Sequence, residues 1–317
     1  MKIKVKIKRC DPMALKGYES YLQGYDVEVK EGMTVLNLLT KVKDEQDGTI
    51  AFRRSCRSAI CGSCAVSING VSKLACKTQV IPEFNKRKDL VIAPLDNFNI
   101  IKDLVVDFDS FWHKIVKARP WLKPAGEPSE GGWIITQEEA EKISAVSYCI
   151  MCGICNSVCN TQEADSHFIG PSASAKTYRF VGDVRDADTR KRLERASEPH
   201  GIWDCSRCVE CNQFCPKGVD PMTAIERLRE AAIGCGILDS PGVRHVEAMV
   251  DSVKRTGRLD EADMTFRTLG IMRSIGILPL GIKMELHGKL PLPVIFKHIE
   301  GIEEVRELYR IIFEEKK

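Results

Sequence analysis

The sequence predicts an α+β chain in three parts: a strand-rich beginning, a helical middle and a helical tail. Three observations carry that expectation. Residues Lys2 to Lys8 alternate lysine with Ile3, Val5 and Ile7, the period of a strand with one buried face. Twelve of the fourteen cysteines fall in three tight groups, one early and two in the middle. After the last group, apolar residues recur at helical spacing to the end of the chain. The boundaries these features suggest are 1–105, 106–239 and 240–317.

In chain order, the second strand is expected around Val27 and Val29, from Asp26 to Lys30. Thr34 then caps a helix whose apolar residues Val35, Leu38, Leu39 and Val42 share one face. The first cysteine group is C-x4-C-x2-C at Cys56, Cys61 and Cys64, with Cys76 further on. That is the plant-type spacing for a 2Fe-2S cluster, in which a loop wraps the cluster and a later segment brings the fourth thiolate. Ala65 to Ile68, the dipeptide Asn69-Gly70 and Val71 to Ala75 read as a hairpin that returns Cys76 to the loop. Asp89 to Leu95 is expected as the closing strand, with an exit segment to about Phe111.

Prolines and glycines between Pro120 and Gly132 have a linker composition. Thr136 and Glu139 form a capping box for a helix that delivers Cys149. The next two groups are Cys149, Cys152, Cys155, Cys159 and Cys205, Cys208, Cys211, Cys215, each spaced C-x2-C-x2-C-x3-C. In paired runs of this kind the fourth cysteine serves the other run's cluster. Cys149, Cys152, Cys155 and Cys215 would hold one 4Fe-4S cube, and Cys159, Cys205, Cys208 and Cys211 a second. Should Cys208 be a buried bystander rather than a ligand, the second centre would be 3Fe-4S. Structural zinc is the competing reading of all three groups, but zinc sites use paired cysteines around one ion and leave the extra thiols without a role. Disulfides fit poorly, since no secretory leader is visible and such close cysteines suit a reducing compartment.

Asp220 and Pro221 open a further helix with Ile225, Leu228, Ala232 and Cys235 on one stripe, and Cys235 and Cys10 read as small core residues. Ser240 and Pro241 open another, with Val243, Val246, Val250 and Val253 along a face and Gly257 at its end. Gly281 to Pro293 is expected to be irregular, and Ile302, Val305, Leu308 and Ile312 mark a final amphipathic helix. These last helices would either pack on the chain's own surface or dock a partner.

Composition sets bounds on function. With 47 basic and 44 acidic residues dispersed along 317, the net charge of +3 gives no basic stripe for nucleic acid. The most apolar window, Leu269 to Ile282, is interrupted by Arg273 and Pro279 and falls short of the roughly 18 apolar residues of a spanning helix. There is no dinucleotide fingerprint and no acid–base or nucleophile arrangement, so no catalytic residue is assigned.

The chain resembles the iron–sulfur subunits of succinate dehydrogenase and fumarate reductase. The matching stretches are Ser55-Cys56-Arg57, Ile60-Cys61-Gly62-Ser63-Cys64, Ile68-Asn69-Gly70, Leu74-Ala75-Cys76, Asp103-Leu104-Val105-Val106-Asp107, Ile169-Gly170-Pro171 and Cys215-Pro216-Lys217-Gly218. The resemblance implies a β-grasp ferredoxin domain followed by an α-helical ferredoxin domain. It also implies an oxidoreductase subunit that carries single electrons, a flavoprotein partner holding covalent FAD and converting succinate and fumarate, and a cytoplasmic position at the inner face of the membrane. The pattern departs from most members at Cys208, where they have an apolar residue and a three-iron centre. It departs again at Asn160, Gln162 to Ala164 and Ser206, where quinone-reactive members place Pro, Trp and His. In both respects it is similar to non-classical members, in which a cysteine-rich partner resembling a heterodisulfide reductase subunit replaces the membrane anchor. The same modules serve glycolate oxidase and heterodisulfide or thiol:fumarate reductase complexes, which stand as alternatives, as does a zinc-stabilised interaction module.

Overall fold

Alternation at the N-terminus produces the expected strand: in β1 (Lys2–Cys10) Ile3, Val5 and Ile7 are buried while Lys2 and Lys4 face solvent. The structure is a computed structural model that describes residues 1–11, 20–289 and 298–313, and it divides into two units, Met1–Ala231 and Ala232–Lys317. β2 (Ser20–Glu28) pairs antiparallel with β1 from Lys2↔Glu28 to Cys10↔Ser20. It starts six residues before the expected strand and ends at Glu28 rather than Lys30. Tyr21 and Leu22 are exposed on this sheet-edge strand, so only its second half, at Tyr25 and Val27, carries the burial alternation.

α1 (Val35–Glu45) buries Val35, Leu36, Leu38, Leu39 and Val42. Its Thr34–Asn37 capping box satisfies backbone donors at both ends of the box. The hairpin of β3 (Ala65–Ile68) and β4 (Val71–Leu74) turns at Asn69 and Gly70, with φ of 53° and 79°. α2 (Val80–Arg87) intervenes before β5 (Leu90–Ala93), which lies parallel to β1 and antiparallel to β3. The five-stranded mixed sheet therefore runs β2-β1-β5-β3-β4. The exit segment is structured: β6 (Ile100–Lys102) and β7 (Val105–Val106) form a small hairpin, followed by α3 (Asp109–Lys117).

A buried cation ties this sheet to the approach of the first cysteine loop. Arg9 donates to Asp103 through Nε at 2.9 Å, to Asp47, Tyr25 and Gln23 through Nη1, and to Thr49 through Nη2. Asp103, 2% exposed, also accepts from the backbone of Cys10 at 3.0 Å and of Ala51 at 2.9 Å. Burial works to lower the Arg9 pKa, but the hydrogen bonds and charges of Asp103 and Asp47 hold it above its ordinary value. Asp47 lies well below the usual carboxylate range because Thr49 and Tyr25 donate to it.

The rest of the first unit is helical. It comprises α4 (Gln137–Ser147), α5 (Ile154–Ser157), α6 (Asn160–Ala164), α7 (Pro171–Val181), α8 (Thr189–Ala196), a 3-10 turn at Ile202–Asp204, α9 (Glu210–Gln213) and the start of α10 (Pro221–Gly234). Thr136 and Glu139 make the expected capping box on α4. The linker is held down by buried Arg192, which binds Asp186 through two bonds and donates to the carbonyls of Arg119 and Trp121. Cys10 is buried as expected, while Cys235 is half-buried just past the end of α10.

The second unit contains α11 (Pro241–Thr256), α12 (Glu261–Leu269), α13 (Ile271–Leu286) and α14 (Ile302–Phe313). Ser240 caps α11 and Gly257 closes it, as expected, but the fully buried positions are Val243, Ala248, Ser252 and Thr256. The valines at 246, 250 and 253 are only half-buried, so small residues set the closest packing. Gly281 to Leu286 is helical, a correction to the irregular segment expected there. Pro279 removes one backbone donor inside α13 without ending it. Pro291 and Pro293 lie outside the described residues. α13 leaves Met272, Ile275, Leu280 and Leu286 in solvent, yet no helix among the described residues is long and apolar enough to cross a membrane.

Replacing Arg9 with Met leaves Asp103 and Asp47 without their cation and should lower the stability of the first unit by about 3–5 kcal/mol. Denaturant unfolding read through near-UV circular dichroism measures this, and an unchanged midpoint would show that the ion-pair cluster does not brace the sheet.

Candidate metal centres

The first cysteine group forms a loop whose backbone points inward at sulfur. The amides of Ser58, Ile60 and Cys61 donate to Cys56 Sγ at 3.3–3.4 Å, and the amide of Ala59 donates to Cys76 Sγ at 3.3 Å. Left-handed conformations at Arg57, Ala59 and Gly62 make that inward turn possible. The hairpin brings Cys76 in, with Ala75 N donating to Cys64 O at 3.0 Å. The four thiols split into an open rim and a buried floor. A hydrogen bond with the Ser63 hydroxyl, helped by Cys56, brings the exposed Cys61 thiol down to about 6. Burial pushes the Cys64 thiol up to about 12, opposed by a hydrogen bond from the Cys76 backbone.

Cys149, Cys152 and Cys155 line one hollow, and the fourth cysteine lining it is Cys215 from the other run. Apolar groups from Met151, Ala175, Val219 and Pro221 complete its wall. Burial raises all four thiols of the first run. Cys152 is pushed to about 12, with Cys149 and Cys215 adding their repulsion, and Cys155 rises well above its usual value. In the second set, burial pushes Cys211 to about 12, and Cys205, Cys159 and Cys208 repel it. Cys159 is raised by burial and then by Cys205 and Cys208. Held as thiolates, four such groups so close together repel one another unless a cationic centre neutralises them. The donor sets thus suit metal–sulfur clusters, with Cys215 brought to the first run and Cys159 to the second.

The two runs repeat one backbone design. Met151 and Gly153 have φ of 54° and 79°, and Arg207 and Val209, at the same steps of the second run, have 59° and 68°. A β-branched residue in that region costs of order 1–3 kcal/mol, so the wrapping loop imposes the conformation on Val209. Cys208 therefore occupies the step that Cys152 occupies in the first run, and it is exposed rather than buried. Each third cysteine is followed by an asparagine that ties the loop to the start of a helix. Asn156 accepts from Ser172 Oγ at 2.7 Å beside Pro171, and Asn212 accepts from Met222 N at 2.8 Å beside Pro221. Sequence reasoning passed over both asparagines, although the repeated Cys-Asn dipeptide was a usable signal.

The three sites adjoin. A Cβ on Gly62 would lie 2.7 Å from Cys152 Cβ, so the loop of the first site touches a cysteine of the second. Cys155 and Cys211 feel each other electrostatically, which links the second site to the third. Asn97 Nδ2 donates to the carbonyls of Asn156, Ser157 and Cys159 at 3.0–3.1 Å, and Ser72 bonds Ser157 at 2.9 Å, fixing the sheet against the cysteine runs. At the third site Gln162 is buried and accepts from Asn156 Nδ2 at 2.8 Å, a structural role. Ser206 meets Thr161 through its amide at 3.3 Å.

Comparison with known proteins agrees with this layout. Residues 4–113 match the family model of a 2Fe-2S iron-sulfur cluster binding domain, and residues 145–219 match a 4Fe-4S dicluster domain. The chain is 39% identical to the fumarate reductase iron-sulfur subunit of Mycobacterium tuberculosis over 66% of its length and 85% of that protein. It is 35% identical to the 8-methylmenaquinol:fumarate reductase iron-sulfur subunit of Wolinella succinogenes over 91% of its length and 93% of that protein. Among solved structures, a chain of the Mycobacterium smegmatis Sdh1 complex in the apo form superposes with a TM-score of 0.65 at 26% identity, covering 74% of this chain and 96% of that one.

The shared backbone of the two runs leads to an expectation for Cys208→Ser. The variant should give a three-iron signal in electron paramagnetic resonance after oxidation, whereas the anaerobic wild type should be silent there. A full three-iron signal in the wild type would show that Cys208 is not a ligand.

Proposed function

The chain belongs to the iron–sulfur subunits of the succinate dehydrogenase and fumarate reductase family, and from that membership we propose that it is the electron-transfer subunit of a complex interconverting succinate and fumarate. We assign a 2Fe-2S cluster to Cys56, Cys61, Cys64 and Cys76. One 4Fe-4S cluster is assigned to Cys149, Cys152, Cys155 and Cys215, and a second to Cys159, Cys205, Cys208 and Cys211. Clusters in these sites would supply one-electron transfer. The chain's own residues hold the thiolates, exclude water from the inner sites and fix the spacing between sites.

The observation that carries the proposal is the unbroken sequence of sites, with Gly62 against Cys152 and Cys155 beside Cys211. Such a row serves two partners, one at each end. A flavoprotein carrying FAD and the dicarboxylate site would meet the first site, where Cys61 and Ile60 are exposed. The second partner, a cysteine-rich or membrane-anchor subunit, would meet the third site, where Cys208 is exposed, and would hold the complex at the inner membrane face. In functional terms the divisions are 1–105 for the first site, 106–239 for the other two and 240–317 for an extension. The exposed apolar side chains of α13 support a docking role for that extension.

Anaerobic purification of the tagged chain from its own cells tests this. The complex should contain a flavoprotein, about ten irons per copy of this chain, as one two-iron and two four-iron clusters require, and fumarate reduction or succinate oxidation activity. Stoichiometric zinc with little iron would overturn the cluster assignment. Activity with glycolate but with neither succinate nor fumarate would overturn the choice of substrate.

A further inference from the structure

Outside the three cysteine groups, two histidines and two aspartates converge at the surface. Asp165 lies six residues after Cys159, and Asp204 immediately precedes Cys205. The two segments that carry them are fastened through the backbone, where Ile169 N donates to the His200 carbonyl at 2.8 Å. Asp165 Oδ2 stands 2.7 Å from His200 Nδ1. Its Oδ1 accepts from the His167 amide at 2.9 Å and faces His167 Nδ1 at 3.4 Å. The centroids of the two imidazole rings are 5.3 Å apart. Asp204 completes the group: one carboxylate oxygen of Asp204, one of Asp165 and a ring nitrogen of His200 all lie within 4.8 Å of one another. Gly201 shapes the approach, since a Cβ there would collide with the Ala196 carbonyl oxygen, and His200 just before it takes a left-handed φ of 63°.

This set has the chemistry of a cation site rather than of a plain ion pair. Among the described residues the Asp204 side chain accepts no hydrogen bond and joins no ion pair, yet it stands close to a second carboxylate. Two carboxylates this near repel each other, and a divalent cation between them removes the repulsion. An imidazole in the set selects against calcium and magnesium, which take oxygen ligands, and in favour of zinc and its transition-metal neighbours. Zinc binds nitrogen and carboxylate oxygen at about 2.0–2.2 Å in a tetrahedron, which sets its ligand atoms about 3.4 Å apart. Exposed side chains close the remaining distance by rotation, with no change in the backbone. We propose that Asp165, His200 and Asp204 form a binding site for one zinc-class divalent cation, with the fourth position left to His167 or water. Occupied, the site would clasp the segment that follows Cys159 to the one that precedes Cys205. None of its ligands is a cysteine, so the proposal stands apart from the cluster assignment.

The test uses the anaerobically purified complex, cleared of loose metal with a chelator and dialysed against graded concentrations of zinc chloride. Elemental analysis then measures bound zinc and iron. The wild type should take up one zinc per copy of this chain while its iron stays constant. Asp204→Asn, His200→Gln and Asp165→Asn should each weaken that uptake at least about tenfold with iron unchanged. His287→Gln, which alters an exposed histidine at the end of α13, should bind as wild type does. Asp204→Asn decides the matter, because that carboxylate holds no other group in place, and its loss of uptake with full iron supports the site even where the other two variants fail to assemble. No uptake by the wild type, wild-type uptake in Asp204→Asn, or zinc gained only in exchange for iron would overturn the proposal. A complex that takes up this zinc but holds little iron from the start supports the site and overturns the cluster assignment instead.

Discussion

Crowding of thiols is the constraint on which this molecule is built. Cys149, Cys152, Cys155 and Cys215 face one apolar hollow, and Cys159, Cys205, Cys208 and Cys211 draw together as a second set in which Cys208 is exposed. Burial pushes the Cys149, Cys152, Cys155, Cys159 and Cys211 thiols toward their protonated form, and neighbouring cysteines push further. Only a centre that binds thiolate and balances its charge makes such a pocket favourable. The left-handed steps at Met151, Arg207 and Val209 follow from the need to wrap the backbone around such a centre. So do the asparagines that follow Cys155 and Cys211.

The β part of the first unit positions the first cysteine loop against this assembly. Asp103 fixes Ala51, five residues before Cys56, while it holds Arg9 in the sheet. Asn97 and Ser72 then bind the carbonyls and hydroxyl beside the first run. The result is the close approach of Gly62 to Cys152, which any side chain at position 62 would prevent. Spacing between sites thus depends on side-chain hydrogen bonds to the backbone as well as on the thiols themselves.

Much of this was legible in the sequence because metal ligation is local in its demands. The x2 and x4 spacings, the Asn69-Gly70 turn and the capping residues Thr34, Thr136 and Ser240 each act within a few residues of themselves. Elements that rely on distant contacts were not legible. α2 has no side-chain cap at Gln79, and β6 and β7 span only three and two residues. α3 has Phe108 as its N-cap, and the first amide of the helix goes instead to Asp107, two residues back. α13 runs through Pro279, a residue that normally marks an end.

The central claim is that each four-iron centre takes its fourth thiolate from the other run. Separate replacement of Cys215 and Cys159 by Ser, with the reduced-state spectra of both cubes recorded in the intact complex, tests this most directly. Crossed ligation predicts that Cys215→Ser alters the cube held by Cys149, Cys152 and Cys155, and that Cys159→Ser alters the one held by Cys205, Cys208 and Cys211. The reverse assignment, with each replacement disturbing the cube of its own run, would contradict the account.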